Sequence, residues 1–103
     1  MEFLTLQMIK QQCRVDFSYD DDLLTAYGDT AEETVAQYLG RGKKVTDMMA
    51  SLTEEYGGIP ESVKTAALLL VSNWYKHSVP ASNTSMAVVP YTFEFIIKPY
   101  ILL

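Results

Sequence analysis

PESVKTAALLLVSNWYKH, residues 60–77, is the stretch that decides the fold, because it is the strongest helical pattern in the chain. Proline and acidic residues are favoured in the first turn of a helix, where this stretch has Pro60 and Glu61. Its apolar side chains recur every three or four residues, at Val63, Ala67, Leu70 and Trp74. Further apolar residues cover the other faces, and a helix that is apolar nearly all round is buried. The stretch therefore predicts a central helix around which the other segments pack.

Four other segments show the same period and complete an all-α bundle of about five helices. The predicted helices cover residues 5–13, 20–39, 46–56, 60–77 and 90–98. Gly40 and the pair Gly57 and Gly58 stand where left-handed residues commonly end a helix. Pro90 opens the last helix, and Pro99 ends it. Since domains usually hold about 100 to 150 residues, we expect one domain over residues 1–103.

The starts of three helices carry side chains that can accept hydrogen bonds from free backbone N–H groups. Thr5 and Thr46 are the expected caps of the first and third helices, and a carboxylate of the acidic triplet 20–22 is the expected cap of the second. Gly28 lies inside the second helix, where glycine costs about 1 kcal/mol relative to alanine. It marks either a break in the helix or a close approach by another helix. We expect the helix to be continuous.

The charge of the chain argues against a protein that binds nucleic acid tightly. The formal net charge is −5, and only eight residues are Lys or Arg. Non-specific affinity for DNA comes from such cations neutralising phosphates. Arg41, Lys43 and Lys44 form one loop group that we expect to be solvated, and no predicted helix carries a basic stripe.

Patterns of catalysis and metal binding are missing from the sequence. Cys13 is the only cysteine and His77 the only histidine, which excludes an internal disulfide and a Cys-rich or His-based zinc site. Cys13 falls on the apolar face of the first helix, where a thiol behaves as a small hydrophobe. The triplet 20–22 lacks the alternate spacing of a calcium loop. We therefore expect a protein that is not an enzyme, with no catalytic residue, no cofactor and no metal.

The sequence also lacks the signs of export and of membrane insertion. Glu2 stands in place of a basic leader region, and the longest apolar run, residues 66–71, is too short to cross a bilayer. A single cysteine suits a reducing cytoplasm. We expect a soluble protein that is not exported and makes no membrane contact.

Two stretches near the C-terminus are expected to face partners. Residues 78–87 predict a polar loop, and long loops are often functional. Residues 100–103 are bulky and follow Pro99, so no regular element holds them, and burying such side chains gains about 1.5 to 3 kcal/mol each. We expect this tail, with the loop, to serve assembly and not the core of the subunit. The residues expected at an assembly or partner interface are Arg41, Lys43, Lys44, Tyr91, Tyr100, Ile101, Leu102 and Leu103.

The order of five motifs resembles the head-tail connector family of long-tailed bacteriophages, whose members are also known as adaptor, head completion or DNA-packaging proteins. The motifs are CRVD at 13–16, DDDLL at 20–24, YLGR at 38–41, PESVKTAALLLVSNWYKH at 60–77 and VPYTFEFIIKPY at 89–100. Together they span nearly the whole chain, and the last is the most specific. The chain departs from longer relatives in its short segment 41–58 and in an acidic helix start followed by Gly28.

The resemblance implies a structural subunit of a phage or prophage connector. Such subunits form a homo-oligomeric ring, dodecameric in the virion, that docks on the portal protein and receives the tail or a stopper protein. Viral DNA passes through the ring without specific binding, and an acidic wall agrees with this because it repels phosphate. The protein would then reside at the head-tail junction of the virion, and in the host cytoplasm before assembly.

Two other functions stay open at this point. A small terminase-like DNA-packaging subunit would need a helix-turn-helix with basic and polar residues exposed on its second helix, and the sequence has none. A cytoplasmic prophage regulator or other helical binding module would suit the acidic surface and the apolar tail equally well. Stoichiometry separates these functions, because a regulator should be a monomer or a small symmetric oligomer and a connector should close a larger ring or await its portal.

Overall fold

Five α-helices and one 3-10 helix form the regular structure of the described residues, which in this computed structural model are 1–42, 44–77 and 91–101 without the side chain of Tyr91. The α-helices are α1 (Leu6–Cys13), α2 (Asp21–Leu39), α3 (Val45–Tyr56), α4 (Glu61–Lys76) and α5 (Tyr91–Ile97), and the 3-10 helix is Lys98–Tyr100. The prediction of an all-α bundle is confirmed. Each predicted helix lies within one residue of the observed bounds at both ends.

The central helix is α4, as its sequence predicts. Its buried side chains are Val63, Ala66, Ala67, Leu70, Val71 and Trp74. They face three neighbours, because α4 packs against α1, α2 and α5. The ring of Trp74 lies 6.0 Å from the ring of Tyr27 on α2, measured between centroids. The core therefore forms around α4, and the other helices are positioned by their contact with it.

The start of α2 lies beside the end of α4. The carboxylate of Asp20 accepts a hydrogen bond of 2.6 Å from the hydroxyl of Tyr75, and Asp21 forms an ion pair of 2.8 Å with Lys10 of α1. Asp20 lies at the N-cap position but accepts no capping hydrogen bond from the backbone of its own helix, because its carboxylate binds the Tyr75 hydroxyl instead. Since α2 and α4 pack together, this contact shows that they run antiparallel.

The two threonines expected to cap helices behave differently. Thr5 caps α1 as predicted, and its Oγ1 accepts a hydrogen bond of 3.1 Å from the N–H of Met8. The prediction for Thr46 is wrong, because α3 begins one residue earlier and Lys44 occupies the N-cap position. Thr46 consequently lies in the first turn of α3.

Gly28 lies inside a continuous α2, where the side chains of Met1 and of Ile9 on α1 approach the helix. A Cβ atom at this position would overlap Sδ of Met1 and lie 2.7 Å from Cδ1 of Ile9. Ile9 is fully buried in the core, so its side chain has little room to move away. The prediction of a continuous helix is confirmed, and the glycine permits the close approach.

A buried carboxylate on α2 binds the residues that precede α1. Glu32 is 2% exposed, and its oxygens accept hydrogen bonds from the backbone N–H groups of Glu2 at 2.7 and 3.0 Å, Phe3 at 2.8 Å and Leu4 at 2.8 Å. Hydrogen bonds to an ionised acceptor are stronger than those between neutral groups. Glu32 therefore holds residues 2–4 along α2 and seats the side chain of Leu4 in the core.

The contact between Tyr75 and Asp20 predicts a change of stability in alkaline solution. The hydrogen bond to Asp20, burial and the charge of Asp20 raise the pKa of Tyr75 from 10.0 to about 12. The contact therefore stabilises the fold fully below pH 10.0, and its contribution is lost as the pH rises to about 12. Ultraviolet absorbance should show one tyrosine that ionises near this upper value, and Tyr75→Phe should remove it.

Asp20→Asn is the second variant for this titration. It keeps an acceptor for the Tyr75 hydroxyl and removes the negative charge, so the pKa of Tyr75 should fall toward its ordinary value. If the component near pH 12 persisted in both variants, Tyr75 would not be the group that carries the raised pKa.

Candidate functional site

The structure places Arg41, one of the predicted interface residues, in a more buried environment than the sequence predicts. The sequence predicts that Arg41 lies in a solvated loop, but the residue is only 7% exposed. The reason is the end of α2, where Gly40 adopts a left-handed conformation with φ 63°. This conformation turns the chain sharply and directs the next side chain toward α3. The expectation of a solvated arginine is therefore wrong.

The guanidinium of Arg41 joins α2, α3 and the C-terminal residues. Its Nε donates a hydrogen bond of 2.8 Å to the carbonyl oxygen of Tyr100, and its NH1 donates one of 3.0 Å to Oγ of Ser51. NH1 also forms an ion pair of 2.6 Å with the carboxylate of Glu55. The guanidinium carbon lies 5.8 Å from the ring centroid of Tyr56. We call this group of five residues the Arg41 clamp.

Two tyrosines form the aromatic part of the Arg41 clamp. The rings of Tyr56 and Tyr100 meet edge to face with their centroids 5.3 Å apart, a favoured geometry for aromatic pairs. Tyr56 is 47% exposed, so part of its ring faces solvent. Tyr100 and Ile101 are half-buried and pack against the core. The expectation that the tail lies outside the subunit's own core is therefore wrong for these two residues.

The other predicted interface residues do not join the Arg41 clamp. Lys44 is exposed and lines a shallow groove with Glu33 and Gln37 of α2. Several predictions fall outside the described residues: the loop 78–87, the side chain of Tyr91, and Lys43, Leu102 and Leu103. Of the eight predicted residues, the structure therefore shows direct contact between Arg41 and Tyr100.

A second surface lies at the opposite end of α2 and α4. It is a groove of about 550 Å³ lined by Gln12, Cys13, Arg14, Leu69, Ser72, Asn73, Tyr75, Lys76 and Thr92. These residues come from the end of α1, the last two turns of α4 and the start of α5. Arg14 and Lys76 supply positive charge, and none of the described residues that line the groove is acidic. We call this surface the Arg14 groove.

The backbone at Arg14 fixes one edge of the Arg14 groove. Arg14 has a left-handed conformation with φ 57°, and its N–H caps α1 by donating to the carbonyls of Gln11 and Lys10. Val15 then donates to the carbonyl of Lys10 at 2.9 Å and is buried. A left-handed residue held by such bonds closes the helix in a defined direction. The arginine therefore projects from an ordered part of the chain.

Cys13 lines the Arg14 groove but does not resemble a catalytic nucleophile. Burial raises the pKa of its thiol. Reactive cysteines have lowered pKa values because nearby cations or helix N-termini stabilise the thiolate. At neutral pH the thiol of Cys13 is therefore protonated, which agrees with its predicted role as a small apolar side chain.

Exposed aromatic residues lie near both ends of α2. In the turn before α2, Phe17 is 48% exposed and Tyr19 is 91% exposed. At the other end of α2, the ring of Tyr38 packs edge to face on Phe93, with centroids 5.3 Å apart. Large exposed aromatic side chains are common in surfaces that bind other proteins.

The residues that sequence reasoning missed are Ser51, Glu55 and Tyr56 on α3. Ser51 and Glu55 are four residues apart, so they share one face of a helix. The sequence signal for this site is that these polar residues share one helix face, close in sequence to Arg41 and about one turn before a pair of glycines. Glu32 is a fourth missed residue. Its carboxylate oxygens bind backbone N–H groups, so the side chains of residues 2–4 carry no pattern that would reveal the contact.

The described residues 1–42, 44–77 and 91–101 contain no group of three His, Cys, Asp or Glu side chains that could hold a metal ion. Within the same residues, no helix combines the length and apolar character needed to span a bilayer. The Arg41 clamp and the Arg14 groove are two places in the described residues where segments far apart in sequence meet at the surface.

Comparison with known proteins gives one family. The model of the Phage gp6-like head-tail connector protein family matches residues 3–100, which include every described residue of the Arg41 clamp and the Arg14 groove. No curated protein and no solved structure gives a significant match.

Proposed function

Because the chain belongs to the Phage gp6-like head-tail connector family, we propose that it is a subunit of a ring that joins the portal protein of a phage or prophage to the tail or to a stopper protein. The match over residues 3–100 is the observation that carries this proposal. In the proposed virion the ring is dodecameric and lies at the head-tail junction. Before assembly the subunits reside in the host cytoplasm.

The presence of two different surfaces, one at each end of α2, supports assembly into a ring. A ring of identical subunits needs two different surfaces on each subunit, so that one surface of each copy contacts the other surface of the next. The Arg41 clamp lies where α2 ends, and the Arg14 groove lies where α2 begins. The two surfaces are built from different residues, which suits contact of this kind.

The charge supports passage of DNA without tight binding. The chain has a net charge of −5, and of its cations Lys10, Arg41 and Lys64 form ion pairs with carboxylates of the same subunit. Such cations are not available to replace the counterions of DNA. A wall of this composition repels phosphate, so DNA can slide past it.

We predict weak binding to duplex DNA at physiological salt. Fluorescence anisotropy with a labelled duplex should give no saturation at submicromolar protein concentration, because the net charge is −5 and three of the eight cations form ion pairs within the subunit. The same titration at low salt is the control that detects residual electrostatic affinity. Submicromolar binding that weakens steeply with salt would contradict the prediction and favour a DNA-packaging subunit.

The ring itself is tested by mixing the purified chain with the portal ring of the same phage. Electron microscopy and native mass spectrometry should show a second ring stacked on the portal, with the chain present in dodecameric stoichiometry. The chain without portal is the control. A monomer or a two-fold dimer that ignores the portal would contradict the proposed function and favour a regulator.

A further inference from the structure

We propose that the Arg14 groove of one subunit receives the exposed end of α3 from the next copy of this chain, with Tyr56 and Glu54 seated between Arg14 and Lys76. The proposal rests on the ring assembly proposed above and assigns the two surfaces that meet in it. The contact is heterologous, because the groove and the inserted segment lie on different parts of each subunit.

The groove has the chemistry to bind an acidic segment with an aromatic residue. Leu69, Cys13 and the ring of Tyr75 give it an apolar lining, and Arg14 and Lys76 add two cations. Both cations are exposed, and neither forms an ion pair with another described residue. An apolar site bordered by unpaired cations is complementary to an aromatic side chain flanked by carboxylates.

The end of α3 is such a segment. Glu54 is exposed, the side chain of Glu55 is 50% exposed, and Tyr56 ends the helix with 47% of its surface exposed. The Arg41 clamp fixes Tyr56 from behind, because its ring already contacts Tyr100 and the guanidinium of Arg41. An aromatic side chain that is ordered before binding loses little entropy on binding and suits the centre of an interface.

The positions of the two surfaces favour a head-to-tail contact. α4 begins at Glu61, a few residues after Tyr56, and its last two turns line the groove. A helix rises 1.5 Å per residue, so the two surfaces are about 20 Å apart along α4. When the two contacting surfaces lie at opposite ends of one subunit, the same contact can form between each copy and the next. A suitable rotation between successive copies then closes the assembly into a ring.

The other acidic and aromatic segment of the chain is a poorer occupant. Phe17 and Tyr19 lie in the turn before α2, beside Asp20, and Asp20 binds Tyr75 of the groove. Groove and turn therefore belong to the same end of the subunit. Insertion of this turn would join two copies by a two-fold axis and leave no surface for a third. The test below separates the two arrangements.

Covalent trapping in the portal-bound assembly tests the proposal. In a Cys13→Ser background, Thr92→Cys places a thiol at the exposed lip of the groove, and Thr53→Cys places one on the inserted segment, one turn before Tyr56, without removing a carboxylate. A short bismaleimide should join position 53 of one copy to position 92 of the next. Denaturing electrophoresis should then show a ladder of products that extends beyond the dimer.

Matched variants decide between the outcomes. Thr92→Cys with Glu33→Cys, an exposed site on the middle of α2, should give no ladder. Each single-cysteine variant should stay monomeric on the gel, and a dimer from Thr92→Cys alone would indicate a two-fold contact and overturn the proposal. If rings form on the portal but the pair of cysteines at positions 53 and 92 gives no ladder, the proposal is also overturned. Failure of the wild-type chain to form rings at all would instead contradict the proposed function.

Discussion

Glu32→Ala should lower the free energy of unfolding by about 3 kcal/mol. The carboxylate accepts four hydrogen bonds from three backbone N–H groups, and it is 2% exposed. Alanine leaves these donors without an acceptor, and the N–H of Leu4 lies where water does not reach. Residues 2–4 should then detach from α2 and expose Leu4. For a domain of this size the melting temperature should fall by about 15 °C.

Glu33→Ala is the matched control for this prediction. Glu33 is the next residue on α2 and is exposed, so its replacement should change the free energy of unfolding by less than about 0.5 kcal/mol. Glu32→Gln keeps one oxygen acceptor and should give an intermediate loss. Urea unfolding followed by circular dichroism measures all three variants. Equal stability of Glu32→Ala and Glu33→Ala would show that the N-terminal residues are not bound as the structure has them.

Arg41→Ala should have the second-largest effect, on stability and on assembly together. Its guanidinium bonds to the carbonyl of Tyr100 and to Ser51, and it pairs with Glu55 at 2.6 Å. Loss of a buried donor to these acceptors should cost about 2 kcal/mol. Tyr56 would lose the cation that lies 5.8 Å from its ring, so the surface proposed to enter the next subunit would lose its order. Binding to the portal should then fail at temperatures where the helices remain folded.

Two variants separate the role of Arg41 from a general effect of charge. Lys64→Ala removes a cation that forms an exposed ion pair of 3.3 Å with Glu61, and it should leave both stability and portal binding near those of the wild type. Arg41→Lys should not restore function, because one ammonium cannot reproduce the planar arrangement of donors. Thermal melts and cosedimentation with portal rings measure both properties. An Arg41→Ala protein that bound the portal normally would show that the clamp is dispensable for assembly.

The helices could be predicted from the sequence because each one depends on local features. The apolar period of 60–77, the threonine at position 5 and the glycine after Leu39 act within a few residues of themselves. Gly28 was also informative, since its hydrogen side chain suits either a break or a close approach. The structure selects the close approach because α1 crosses α2 at that position.

The candidate site was harder to predict because it depends on distant contacts. A basic group in a loop normally predicts a solvated surface, but Arg41 contacts Tyr100, a residue that lies fifty-nine positions away. The same holds for Asp20, whose local role as a cap is replaced by a bond to Tyr75, fifty-five positions away. Where a polar side chain has a partner far along the chain, the local pattern of residues does not reveal its role.

The way in which Glu32 holds the N-terminal residues has a consequence for sequence variation. The carboxylate recognises the main chain, and the side chains of Glu2 and Phe3 take no part in these bonds. Position 2, whose side chain is exposed, should therefore accept most amino acids without loss of the tether, whereas Phe3 also packs against the core. Proline is the exception, because it has no N–H to donate. A library that randomises these two positions should thus return nearly every residue type at position 2 and mainly apolar residues at position 3, with proline depleted at both.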